Sequence, residues 1–379
     1  MSIRIQEEQD RIYVNMILQN NQIYDYNDIP VYDASFDYEL TQPIINEASK
    51  YYVAVEDISL PVTNIPIWKP EIQPNIPPYN NTNINLTTYS FTMSYGGFES
   101  DQTFMVFDSQ NPNIIPRAIN PFQDFLSTYY EIFTYTGVAE NITNCLMAAY
   151  ANLIGKGAAL NADEYPFMTY DPVTGLFSLS GFKDNIDSGL EIYCNYKMFE
   201  LLLTLPQTYL ASDTAATLNG KDVQLYVGTE FDNLWEPNDA PAVGLYYKMT
   251  QSYNILASLS PIQSIVVTSR TIPISSEYVP QSPQSNYIYQ GLVNKSKILY
   301  DLDALDFIGD GKPRPFIKYR PQKYSLINLS SSSKVQHLDL TVYWRDIYGI
   351  LHLVAINSNQ TANIKIVFIR KDSLTSNKY

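Results

Sequence analysis

Apolar and polar residues alternate with a period of two along much of this chain, and that period sends successive side chains to opposite faces of a β-strand. Ala34, Phe36, Tyr38 and Leu40 alternate with Ser35, Asp37 and Glu39. Val223, Leu225 and Val227 alternate with Asp222, Gln224 and Tyr226, and Leu338, Leu340, Val342 and Trp344 with Asp339, Thr341 and Tyr343. Each set predicts a strand with one dry face and one wet face. Ile265-Val266-Val267 and the stretch Ile364 to Ile369 are apolar at nearly every position, which predicts strands covered on both sides.

Proline and asparagine interrupt these runs throughout, as in Pro74-Asn75-Ile76-Pro77-Pro78 and Pro280-Gln281-Ser282-Pro283, and neither sequence can continue a central strand. The segments 66–85 and 275–294 are therefore expected as long loops. Asp171-Pro172-Val173-Thr174-Gly175 predicts a hairpin between Phe167–Tyr170 and Leu176–Leu179, because Asp and Pro set the turn and Gly supplies a positive φ. Helical spacing is confined to about 120–156. Asn120 and Pro121 can start one helix there, with Phe122, Phe125, Leu126 and Tyr129 on one face. A second helix is expected from about Thr143 to Ile154, packing through Cys145, Met147, Ala148, Ala151 and Ile154 and stopped by Gly155.

The chain of 379 residues is long enough for two domains. The small polar stretch Ala211-Ser212-Asp213-Thr214-Ala215-Ala216 marks the expected boundary, giving an N-terminal arm over 1–20, a first β domain over 21–212 and a second over 213–379. Each would suit a β-sandwich.

Charge and cysteine content exclude several classes. Net charge is −15, with 8 Lys and Arg against 25 Asp and Glu in residues 1–200, and 16 against 14 in the rest. No basic cluster exists to neutralise phosphates, so direct nucleic-acid binding is not expected. Cys145 and Cys194 stand outside any metal or redox spacing and are expected as buried free thiols. No stretch is long and apolar enough for a membrane helix, and the start lacks the layout of a secretory signal, so synthesis in the cytosol is expected. Aromatic residues reach 13 %, most of them Tyr, a profile that suits half-buried subunit interfaces.

Catalytic patterns fail one by one. His337 and His352 lack a third ligand or a nucleophile at recognisable spacing. The acidic run Asp301 to Asp310 places Asp306 and Lys312 where a helix-loop-helix calcium site needs Gly and Glu. Ser330-Ser331-Ser332-Ser333 is no nucleophile elbow, and Gly155-Lys156-Gly157 is no phosphate loop. No catalytic, cofactor-binding or metal residue is assigned, and the chain is not expected to be an enzyme. Carboxylate pairs brought together from distant strands leave an all-β carbohydrate-binding or glycoside-active protein as the rival. Trp68, Trp235 and Trp344 are expected as core or interface anchors.

Ser264-Ile265-Val266-Val267-Thr268-Ser269-Arg270-Thr271-Ile272-Pro273-Ile274 and the stretches Leu338 to Asp346 and Ile364 to Lys371 resemble closing strands of capsid proteins from tailless icosahedral DNA viruses, including polinton-like and virophage relatives. The resemblance, to the lineage that includes the adenovirus hexon, implies an all-β double jelly roll: two tandem jelly-roll sandwiches with a helical insertion in the first. It implies a major capsid protein that trimerises into pseudo-hexagonal capsomers and then builds an icosahedral shell of the virion. Implied partners are copies of itself, penton and minor capsid proteins, and an internal membrane in many relatives, toward which the acidic start here gives no electrostatic attraction. A penton or spike protein with one jelly roll and a large insertion is the alternative.

Overall fold

The computed structural model describes residues 10–19, 22–26, 29–74, 83–109, 128–210, 219–228, 234–238, 240–275, 297–303, 316–347 and 349–375. The chain forms two compact units. One contains 1–65, 261–310 and 314–379; the other contains 66–260 and 311–313.

The first unit is built on eight main strands: Arg11–Leu18, Ser35–Glu39, Tyr51–Pro61, Ile262–Thr268, Ile298–Asp303, Phe316–Tyr319, His337–Asp346 and Ala362–Arg370. Counted in chain order, one sheet runs first, eighth, third, sixth, and the other runs second, seventh, fourth, fifth. All these neighbours are antiparallel. This is the strand order of a jelly roll, two Greek-key sheets face to face. Met16, Val53, Ile58, Ile364, Ile366 and Phe368 from one sheet join Ile265, Val267, Leu302, Leu340, Val342 and Trp344 from the other in a single buried cluster.

The third strand shows how sequence sets this geometry. Its inward residues change parity, from Val53 and Val55 to Ile58 and Leu60, so a regular strand would turn one pair outward. A register shift opposite Lys365 and Ile366 places one extra residue, Glu56, between Val55 and Asp57, and both pairs stay inside. The doubly apolar stretches behave as expected. Val266 is fully buried beside Ile265 and Val267, while Val367 and Ile369 are covered on the other face of the eighth strand by Ala54 and Tyr324.

Among its described residues, the second unit has two antiparallel sheets and one long helix. Leu86–Tyr95 lies at the centre of the larger sheet, beside Glu191–Cys194 and with Phe98–Glu99 and Thr103–Val106 also pairing to it; Val223–Leu225 and Gln207–Tyr209 continue the sheet. The smaller sheet has the order Leu234–Trp235, Tyr246–Thr250, Leu176–Phe182, Phe167–Asp171. The expected hairpin is present. Asp171 accepts bonds from the Val173 N–H and the Thr174 hydroxyl, both at 2.8 Å, and Gly175 has φ +73°.

The helix runs Tyr135–Gly155, two turns earlier than the sequence suggests, because the Thr134 hydroxyl caps it by accepting the Gly137 N–H at 3.1 Å. Its buried face is also displaced from expectation. Cys145 is buried, but Leu146, Ala149, Tyr150 and Leu153 carry the packing, while Met147, Ala148 and Ala151 face solvent. The expected start at Asn120 and Pro121 lies outside the described residues, as do 75–82, 276–296 and the boundary stretch 211–216.

The all-β jelly-roll expectation holds, but the two halves do not. The chain leaves the first unit after 65 and returns to it at 261, so the second unit is an insertion between the third and fourth strands rather than one of a tandem pair. The reason is hydrogen bonding across the full chain length: Arg11 pairs with Ile369 and Tyr51 with Arg370, so both ends of the chain share one sheet. Among the described residues, the strand order of the second unit is not that of a jelly roll.

Candidate assembly surfaces

The residues singled out in the sequence for possible chemistry each make structural contacts or lie outside the described residues. Cys145 and Cys194 are both buried free thiols; burial pushes the Cys145 thiol up to about 12 and raises Cys194 as well, so neither is a ready nucleophile. His352 Nε2 lies 2.9 Å from Asp346, and its ring stacks flat on Trp344 with centroids 4.0 Å apart. His337 bonds Asp37 at the surface. Lys156 follows the helix end and pairs with Asp101, and Ser331 bonds Ser333 within its own loop. Of the acidic run, Asp301 pairs with Arg345 at 2.8 Å, and 304–310 lie outside the described residues. Trp68 and Trp344 are core residues, whereas Trp235 is half-buried under the Lys248 ammonium. No group of three metal-ligating side chains occurs among the described residues.

The most strongly bound polar group is one that alternation assigned to the wet face. Asp339 is buried. Its carboxylate accepts from the Ser269 hydroxyl at 2.7 Å, the Thr271 hydroxyl at 2.6 Å, the Thr271 N–H at 2.8 Å, and the Arg270 N–H and Nε at 3.0 and 3.1 Å. Burial alone would raise its pKa, but the bonds from Thr271 and Ser269 and from the backbone outweigh it and hold the group at about 2. Arg270 continues outward to Asp37, which also bonds His337. This clamp ties the segment after the fourth strand to the seventh. Both are among the stretches that carry the family resemblance. The available signal was Ser269-Arg270-Thr271, two hydroxyls flanking a cation just beyond a strand end; only strand pairing shows which carboxylate they meet.

The lateral sides of the jelly roll differ. On one side, the fifth and sixth strands are bridged by Tyr300 and Tyr319, with hydroxyls 3.0 Å apart and rings at 5.9 Å. On the other, the first and second strands lie against each other, and among the described residues neither has a second strand partner. Ile12, Val14 and Phe36 are only partly buried there, Tyr38 from the expected dry face is 55 % exposed, and Tyr13 and Ile17 face outward at 46 % and 58 %. An unpaired strand edge with exposed apolar side chains is a surface that monomers usually avoid. In the second unit, Val243, Val173 and Tyr253 are the most exposed large apolar residues. Most of the net negative charge also lies in 66–260, which carry 7 Lys and Arg against 20 Asp and Glu, while the remaining residues carry 17 against 19.

Comparison with known proteins agrees with a chain built for assembly. The family described as Sputnik minor capsid protein V18/19 matches residues 12–370. Two Sputnik virophage proteins are similar in sequence: the uncharacterized protein V18, 34 % identical over 154 residues that make up 39 % of this chain and 87 % of V18, and the structural protein V19, 28 % identical over 184 residues that make up 48 % of this chain and 82 % of V19. A chain in the cryo-EM structure of the Sputnik virophage superposes with a TM-score of 0.78 at 29 % identity, covering 98 % of this chain and all of that one. The mavirus penton protein shares the fold, with a TM-score of 0.62 at 14 % identity over 95 % of this chain and 99 % of its own. The chain belongs to the Sputnik minor capsid protein V18/19 family and is a structural protein of the virophage capsid, resident in the virion.

Proposed function

We propose that this chain is the vertex subunit of a virophage capsid, a penton-type protein that closes into a five-membered ring, and not the trimeric major capsid protein. The observation that carries the reading is that the described residues form one jelly roll. A pseudo-hexagonal capsomer needs six jelly rolls, which three chains supply only if each carries two. A chain with one fits a ring of identical copies at a five-fold vertex, where each contact joins two different edges of neighbouring copies. The minor-capsid family and the fold shared with the mavirus penton protein support the same choice.

The open side of the sandwich is the surface offered for that ring contact. Burial of Tyr13, Ile17, Tyr38 and the half-exposed Ile12, Val14 and Phe36 against a neighbour would remove apolar area that the isolated subunit leaves in water. Partners are then copies of this chain, the surrounding major capsid subunits and other minor capsid proteins. The role is architectural, without catalysis, cofactor or sequence-specific nucleic-acid binding. The net charge of −15 gives no attraction to anionic lipid or nucleic acid.

Solution mass with electron microscopy of the purified chain tests the reading. Rings of about five times the 43.2 kDa chain mass are expected. Trimers that tile into sheets would restore the major capsid role, and a stable monomer that retains polysaccharide would favour the carbohydrate-binding rival.

A further inference from the structure

The chain contains a single Asn-Gly dipeptide, Asn219-Gly220, and in the second unit each residue of it is required for a separate reason. Gly220 has φ +68°, and a Cβ on it would collide with the Gln102 side chain. Asn219 is a hydrogen-bond hub. Its Oδ1 accepts the Gln102 N–H at 2.9 Å, its Nδ2 donates to Glu99 Oε1 at 2.9 Å and to the Ser100 carbonyl at 3.0 Å, and its own carbonyl accepts the Thr92 hydroxyl. Lys221 pairs with the same Glu99. The fold thus uses both residues of the dipeptide that is most prone to cyclise, the glycine for its positive φ and the asparagine for its three side-chain bonds.

We propose that Asn219 is a modification site, a latent deamidation centre that the Glu99–Gln102 segment holds closed in the native unit. In the open state the deprotonated Gly220 nitrogen attacks Asn219 Cγ, the new C–N bond closes a succinimide, and the carboxamide nitrogen leaves as ammonia. Water then opens the ring to aspartate or isoaspartate. In the closed state both ends of the carboxamide are bonded, Cγ cannot rotate toward the Gly220 nitrogen, and Gly220 is buried from solvent base. Conversion does not reverse because the ammonia is lost to solvent, and the new carboxylate opposes reclosure, since it faces Glu99 Oε1 and the Ser100 carbonyl, where two donated bonds become two acceptor–acceptor contacts. Conversion at the site thus accumulates with the total time this segment spends open.

The test uses the full chain incubated at mildly alkaline pH, with peptide mass mapping of conversion at Asn219, beside a synthetic peptide of residues 214–224. Conversion in the folded chain is expected about ten-fold or more below that in the peptide, and in denaturant the two rates should converge. Asn219→Asp should lower the melting temperature, and adding Glu99→Gln, which restores a donor to the new carboxylate, should recover part of the loss. Equal conversion in the folded chain and the peptide would overturn the proposal. So would an Asn219→Asp chain that melts with the parent, or a double variant that melts no higher than Asn219→Asp alone.

Discussion

The two units are assembled from the chain in opposite ways. The jelly roll draws its eight strands from residues 11–61 and 262–370, and its most extensive pairing joins the third strand to the last. The inserted unit is one nearly continuous stretch, 66–260, whose strands mostly pair with strands close in sequence. Closing a sheet across the whole chain costs more ordering entropy before any contact rewards it than closing neighbouring hairpins does. The jelly roll therefore depends on both termini, and the inserted unit on neither.

Truncation gives the sharpest break. A chain ending at 361 loses the strand that sits between the first and third, and should lose the whole jelly roll while 66–260, expressed alone, keeps its fold. Hydrogen exchange across both fragments measures this; an inserted unit that needs the jelly roll would erase the contrast.

A single core substitution on each side comes next. Phe368→Ala and Phe177→Ala each empty a fully buried site and should each cost about 3–5 kcal/mol. Exchange protection should fall in the jelly roll for the first and in the inserted unit for the second, and loss in both units at once would mean that the two melt together.

Asp339→Asn should destabilise the jelly roll by about 3 kcal/mol, since it removes a buried carboxylate from at least five donors. The same group sets an acid limit. Its folded pKa of about 2 lies below the ordinary 3.8, so its contribution, about 2 kcal/mol, is complete above pH 4 and disappears as pH falls through 2. Acid unfolding monitored from each unit should show that step in the jelly roll and not in the Asp339→Asn chain.

The smallest effect belongs to the inserted helix. Thr134→Ala removes its N-cap and should cost about 1 kcal/mol, read as a small drop in melting of the inserted unit with the jelly roll unchanged.

Local sequence determined the strands, because alternation and doubly apolar runs report burial face by face: Leu338, Leu340, Val342 and Trp344 are buried as their spacing requires, and so are Val223 and Leu225. It determined the 171–175 hairpin through the side chain that makes the turn. It misplaced the helix start and face, since Thr134 acts through one hydrogen bond that periodicity does not register. Tyr38 and Asp339 contradict their own alternation in opposite directions, one exposed where its strand has no second neighbour, the other buried where a loop distant in sequence supplies its donors. Which strands pair, and hence that the ends of the chain make one jelly roll around an insertion instead of two in tandem, was decided only in three dimensions. Strand propensity is a property of a few consecutive residues, whereas partner choice depends on which apolar faces can be closed together across the whole chain.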